Sequence, residues 1–167
     1  MTAQELMGLL NLQPLPREGG YYRETYRSAD TLPAAALPTR YGRDKAASTA
    51  IYYLLTPDTF SAMHRLPTDE IYHFYLGDPV EQLQLFPDGS GRVRLLGTDL
   101  RAGHAPQLVA PRGVWQGSRL LPGGTFALLG TTVAPGFDFN DYEHGDRETL
   151  IRQYADFAEK IRGLTAE

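Results

Sequence analysis

Alternation of apolar and polar positions dominates the middle of the chain. Thr49 to Leu55 is rich in β-branched and aromatic residues, and Ile71-Tyr72-His73-Phe74-Tyr75-Leu76 is an aromatic run that stops at Gly77-Asp78-Pro79. Val80 to Phe86 alternates apolar with polar, and Pro87-Asp88-Gly89-Ser90-Gly91 supplies hairpin turn residues. Val93 to Leu96, Gln107 to Ala110, Val114 to Leu121 and Phe126 to Val133 continue the series. A period of two places successive side chains on opposite faces of a strand. Many short strands punctuated by Gly and Pro predict an all-β sandwich or barrel. Before them, Tyr21 to Arg27 reads as an aromatic strand after Gly19-Gly20, and residues 29 to 47 as a long surface loop rich in Pro, Ala and Asp.

The two ends follow a helical period instead. Thr2 and Glu5 have the spacing of a capping box ahead of Leu6, Leu9 and Leu10, and Pro14 and Pro16 end that short helix. Asp146 is placed to cap a C-terminal helix over about 147–163 that carries Leu150, Tyr154, Phe157 and Ile161. Such a stripe is a packing face, against the barrel or a second subunit. The organisation expected is one domain over 1–167, with the barrel core at about 47–134.

Composition narrows the class. Apolar residues make up 42% and charged residues 22%, as in ordinary globular chains. Sixteen basic against twenty acidic residues give a formal charge of −4, with no basic stripe, so nucleic acid is not an expected partner. There are no cysteines, which excludes disulfides and thiolate metal sites. The opening residues lack a signal-peptide pattern, and no apolar run approaches the roughly 20 residues of a membrane span. A cytoplasmic protein with no membrane partner is the expectation.

The informative stretch for chemistry runs from Ser61 through His64, Leu66 and Glu70 to Gly77. It resembles the first cupin motif, in which a His-x-His pair is followed by a Glu and, seven positions later, a Gly. His64, Glu70 and Gly77 stand at those positions, and Leu66 replaces the second histidine. Pro111-Arg112-Gly113-Val114-Trp115-Gln116 resembles the second motif, Pro-x-Gly-x-x-His, with Gln116 in place of its histidine. The blocks Glu18-Gly19-Gly20-Tyr21-Tyr22-Arg23, Trp115-Gln116-Gly117-Ser118 and Gly130 to Phe139 add to a resemblance to a branch of small, largely uncharacterised cupins of bacteria, fungi and plants. This resemblance implies a cupin-type double-stranded β-helix, or jelly-roll barrel, with a short N-terminal helix and a C-terminal helix. It is a fold shared with sugar epimerases and seed storage proteins. It also implies a small-molecule ligand in the barrel and a homodimer paired through the strand bearing Tyr21, Tyr22 and Tyr26.

Metal-dependent cupins hold their ion with imidazoles and one carboxylate. Leu66 offers no donor and the Gln116 amide is a weak one, so no cofactor is expected; a divalent metal, if held, takes His64, Glu70 and Gln116 as ligands. Without metal, a desolvated Glu70 has a raised pKa and a nearby His64 titrates near neutrality, a pair suited to proton transfer on a polar or sugar-like carbonyl compound. Alternation from Glu70 sends Tyr72 and Phe74 inward and His73 outward, and alternation from Gln116 sends Ser118 inward and Trp115 outward. Tyr72, Phe74, Gln116, Ser118 and Asp138 are therefore the candidate ligand contacts, with His64 and Glu70 catalytic. Asp138, between Phe137 and Phe139, reads as a buried, hydrogen-bonded acid near the barrel end. Arg65 and Arg119 are candidates for an anion at the mouth, and Tyr142-Glu143 for a lid or a linker. Three activities stay open: a metal-independent isomerase or epimerase, a noncatalytic binding or sensing module, and a metal-dependent oxygenase or isomerase with a reduced ligand set. Against all three stands a purely structural cluster in which His64, Glu70 and Gln116 hydrogen-bond one another and fill the barrel.

Overall fold

A computed structural model describes residues 1–166. Its strands are β1 (Gln13–Pro14), β2 (Tyr21–Arg27), β3 (Thr31–Leu32), β4 (Lys45–Ala46), β5 (Thr49–Leu55), β6 (Ser61–Arg65), β7 (Glu70–Gly77), β8 (Val80–Leu85), β9 (Gly91–Leu96), β10 (Gln107–Ala110), β11 (Trp115–Leu120), β12 (Ala127–Val133) and β13 (Glu143–His144). Six of them form one antiparallel sheet in the order β1-β2-β5-β12-β7-β10, and five form a second in the order β13-β6-β11-β8-β9. The two sheets close on each other as a jelly roll. Helices α1 (Ala3–Leu9), α2 (Arg147–Gln153) and α3 (Ala158–Gly163) flank it. Among the described residues, no helix is long and apolar enough to cross a membrane.

Strand register decides which residues face the interior. In the five-stranded sheet Gln116 lies opposite Gln84 and His64, and Ser118 opposite Gln82. These polar side chains share the inner face with Val80 and Leu120, while Met63, Leu83, Leu85 and Trp115 face outward. The outward face is covered by the chain's tail, as Leu150, Tyr154, Ile161 and Leu164 pack on it with Phe157 at the edge. The amphipathic stripe is thus a packing face, but the helix carrying it is not continuous. It breaks at Tyr154 (φ −131°, ψ 59°), and a 3-10 turn over Ala155–Phe157 joins α2 to α3.

The opposite outer face is covered by α1, whose capping box forms between Thr2 and Glu5 (3.2 and 2.6 Å) and whose Leu6 packs on Leu54 and Leu128. The stretch 29–47 is more ordered than a surface loop. The small β3–β4 hairpin and two 3-10 turns bury Tyr41 and Lys45, because the Lys45 ammonium pairs with the Asp141 carboxylate across the barrel rim. Gly77 takes φ +101°, and a Cβ there would stand 2.3 Å from the Phe126 carbonyl oxygen, so this position requires glycine.

The interior is divided along its length. Leu55, Tyr72, Val80, Leu96, Leu108, Leu120, Ala127 and Leu129 fill one end as a close-packed apolar plug, with Phe74 against it. Burying each large side chain contributes about 1.5–3 kcal/mol, so this end holds the two sheets together without help from the polar groups. The other end is open.

Candidate functional site

At the open end lies a cavity of about 570 Å³ between the concave face of the six-stranded sheet and residues 137–140. Its walls come from Tyr22 and Glu24 on β2, Ile51 and Tyr53 on β5, and Thr131 and Val133 on β12. The Glu18 and Glu70 carboxylates also line it, and Arg27, Asp138 and Phe139 stand among the residues at its outer part. Pairing of β2 with β5 shifts between Glu24 and Tyr26, so Thr25 is an extra residue in the ladder. A bulge of this kind re-aims the side chains beyond it. Here it leaves Tyr26 54% exposed on the outside and puts Arg27 on the cavity side, where its guanidinium meets Glu24 at 2.9 and 2.7 Å.

Glu18 sits in a tight turn between β1 and β2 rather than on a strand. Leu15 N donates to Gly20 O and Gly19 N to Leu15 O (both 3.0 Å), and the Ala62 amide donates to the Glu18 carbonyl (2.8 Å). The Tyr53 hydroxyl donates to Gly19 O (2.9 Å), and the Ser61 hydroxyl to Glu18 Oε1 (2.8 Å). Gly19 has φ +93°, and a Cβ added to it would lie 2.5 Å from the Phe60 carbonyl. Gly19→Ala is therefore expected to cost about 2–4 kcal/mol, because the backbone conformation and the close approach are both lost. A urea-denaturation midpoint equal to that of the unsubstituted chain would refute this account of the turn.

Beneath the cavity floor His64 projects from β6, 1% exposed. Its Nδ1 is 2.7 Å from the Ala62 carbonyl oxygen, which can only accept, so Nδ1 carries a proton and Nε2 is the nitrogen that titrates. Nε2 faces Glu70 Oε2 at 3.8 Å and Glu18 Oε2 at 3.9 Å. These are charge contacts, too long for direct hydrogen bonds. Tyr142 stacks on the imidazole (centroids 5.1 Å apart, planes at 17°) under the guanidinium of Arg17.

Burial alone would depress the His64 pKa, but the carboxylates of Glu18 and Glu70, helped by the Ala62 carbonyl, outweigh it and raise it to about 9. Desolvation pushes the Glu18 carboxyl up, only partly offset by the His64 charge. Glu70 is also desolvated, yet His64, Thr131 and Gln116 bring it below the ordinary carboxylate range. Near neutrality the floor thus holds an imidazolium beside the Glu70 carboxylate, and Glu18 is the readier of the two acids to take a proton. Burial and the neighbouring carboxylates raise the Tyr53 and Tyr72 hydroxyls well above the usual phenol range, so both stay protonated donors.

Of the sequence candidates, His64, Glu70, Gln116 and Tyr72 come together. Gln116 Nε2 donates to Glu70 Oε2 (2.8 Å), as does the Tyr72 hydroxyl (3.2 Å). Both sit behind Glu70 and hold it, and neither lines the cavity. Phe74 packs in the apolar end, and Ser118 accepts from Gln82 (3.5 Å), away from the cavity. Asp138 is at the cavity but only half-buried, because its carboxylate caps the next turn by accepting from Asn140 N and Nδ2 (2.8 and 2.6 Å). Arg65 is paired with Glu143 (2.7 Å) over the Trp115 ring, and neither Arg65 nor Arg119 lines the cavity. Tyr142 and Glu143 are neither lid nor linker, since Glu143 and His144 form β13, which pairs with β6 and seats Tyr142 on His64. Glu18, Tyr53 and Arg27 were not singled out by the strand pattern. Glu18 lies in a turn, where alternation says nothing, and its signal is the following Gly19-Gly20 pair.

The donor set does not suit a transition metal. Leu66 presents only carbon, the Gln116 amide oxygen is a neutral and weak donor, and the Glu70 Oε2 that faces His64 already accepts two hydrogen bonds. Among the described residues, no three His, Cys, Asp or Glu side chains converge as a metal cage.

Two sheets closed as a jelly roll around an interior cavity floored by carboxylates define a cupin barrel. A family model, Cupin superfamily (DUF985), matches residues 4–145, and the chain belongs to this family. It is 36% identical to the uncharacterized protein YML079W of Saccharomyces cerevisiae over 135 residues, covering 75% of this chain and 67% of that protein. Among solved structures, a hypothetical protein from Leishmania major superposes with a TM-score of 0.90 at 30% identity, covering 100% of both chains. A protein from Shewanella oneidensis gives 0.87 at 32% identity over 99% of this chain and 98% of that one. An oxalate decarboxylase of Bacillus subtilis shares the fold alone, with a TM-score of 0.54 at 15% identity over 93% of this chain and 38% of that one.

Proposed function

We propose that the barrel binds a small polar carbonyl compound over Glu18 and Glu70 and isomerises or epimerises it by proton transfer, without a metal. One observation carries the reading: a single imidazole nitrogen, Nε2 of His64, lies within 3.9 Å of two carboxylates that line the cavity. In the reaction, a C–H bond next to the carbonyl breaks. Its proton passes to one carboxylate and its electron pair enters the enolate. A proton then returns to carbon or oxygen, so substrate and product are isomers and no co-reactant is consumed. His64 does not touch the substrate. With Nδ1 anchored on Ala62, its Nε2 can hold the one proton that three basic groups share and pass it to either carboxylate, resetting the site. Positioned acid–base groups contribute about 10²–10⁴-fold to rate.

The test is solvent exchange. Aldoses, ketoses and hydroxy carbonyl compounds are incubated with the protein in deuterium oxide and followed by NMR. Deuterium should enter at the carbon beside the carbonyl, and Glu18→Gln and Glu70→Gln should each abolish this. Unaltered exchange in a folded His64→Ala variant would sink the relay. A second reading, binding without chemistry, is favoured by the near-complete burial of His64 behind the floor. A compound that co-purifies and is recovered unchanged, unexchanged after long incubation, decides for it.

A further inference from the structure

We infer that the cavity selects a ligand bearing an amine or another organic cation, which its surplus of carboxylates and its aromatic walls would recognise. The inference rests on the reading that this cavity is the binding site, and it names the ligand chemistry that the reading leaves open.

The charge balance of the lining points this way. Glu18, Glu24, Glu70 and Asp138 contribute carboxylates, and Arg27 is the guanidinium among the lining residues. Arg27 is already engaged by both oxygens of Glu24. His64, behind the floor, can neutralise at most one of the two carboxylates it faces. Lys45 and Arg43 also act on Asp138, but Lys45 is itself paired with Asp141, so the lining keeps more carboxyl groups than cationic ones. A concave, partly desolvated site concentrates such a field, which attracts a cation and repels a carboxylate or phosphate ligand.

Hydrogen-bonding capacity agrees with the charge. Carboxylates only accept, and Glu18, Glu24, Glu70 and Asp138 bring such acceptors to the cavity wall. An ammonium is the complementary group, with three donors and no acceptor. Tyr22, Tyr53, Phe137 and Phe139 supply the rings against which an organic cation loses water at little cost. A neutral polyol would use the acceptors and leave the charge unanswered.

Three probes matched in size separate the alternatives in titration calorimetry of the full chain at neutral pH and low salt: glucosamine, glucose and gluconate. Glucosamine should bind at least about tenfold tighter than glucose, gluconate should not bind measurably, and high salt should shrink the difference. Glu24→Gln combined with Asp138→Asn changes the charge at the rim while asparagine can still cap the turn, and it should weaken glucosamine by about fivefold or more. Gluconate binding as well as glucosamine, equal binding of all three, binding of none, or an unchanged preference in the double variant would each overturn the inference. Deuterium exchange on the same sugars reports separately. Amine selectivity without exchange removes the proposed catalysis and keeps this recognition, and exchange without selectivity does the reverse.

Discussion

His64→Gln is expected to flatten the pH dependence of stability between pH 6.5 and about 9. The folded protein holds the imidazole proton more tightly than the unfolded chain, with a pKa raised from 6.5 to about 9. The resulting stabilisation is present in full below pH 6.5, declines across the window and is gone above about 9. A shift of that size corresponds to roughly 3 kcal/mol at most. The raised Glu18 pKa acts in the same direction, toward lower stability as pH rises, and the lowered Glu70 pKa acts the other way at acid pH. Urea titrations at both ends of the window measure the effect. The unsubstituted chain should lose stability toward pH 9 more steeply than the variant, which keeps only the slope that Glu18 contributes. The variant should also be weaker at neutral pH by about 3–5 kcal/mol, the usual cost of leaving buried charge without its partner, reduced where Glu18 takes up a proton. A variant with the same pH slope as the unsubstituted chain would show that the carboxylates do not govern His64.

Leu66→His together with Gln116→His should produce a barrel that holds a divalent ion. With His64 and Glu70 this supplies three imidazoles and one carboxylate, the donor set that Mn, Ni or Zn prefers over two strong ligands. An affinity gain of about 10³-fold or more is the expected scale for adding two imidazoles to a preformed site. Elemental analysis after loading and dialysis gives the stoichiometry. Leu66 is 5% exposed, so the apo variant should be destabilised by the buried ring and regain stability when metal is added. Stoichiometric metal in the unsubstituted chain, or none in a folded double variant, would contradict this account.

Much of the barrel was legible from period and punctuation. Between Thr49 and Val133 every strand but β6, which alternation did not mark, stands where the pattern places it, because a half-buried sheet imposes a period of two. The same rule set Trp115 outward against the tail and His73 outward, where its ring nitrogens meet Thr132 and Gln107. What alternation could not reach lies off the strands or beyond an irregularity. Glu18 is brought beside His64 by a turn, and residues 29–47 are ordered by the distant Lys45–Asp141 pair. Phe74 and Ser118 show a subtler gap. Both point inward, but the barrel is plugged at their end, and facing inward is not the same as lining the cavity. Depth along a strand depends on how neighbouring strands stagger, which one chain's pattern does not encode.

The extra residue at Thr25 has a consequence for how this family could diversify. Because Thr25 is the residue left out of the ladder, Tyr26 and Arg27 continue the alternation that Glu24 sets, and loss of that single codon would leave Arg27 facing the cavity and Tyr26 outside. The plug, the floor carboxylates and the helical tail would be left as they are. The doorway would keep its guanidinium–carboxylate pair through a change in strand length. The length of this strand could then drift in descendants while the doorway and the machinery behind it stayed constant.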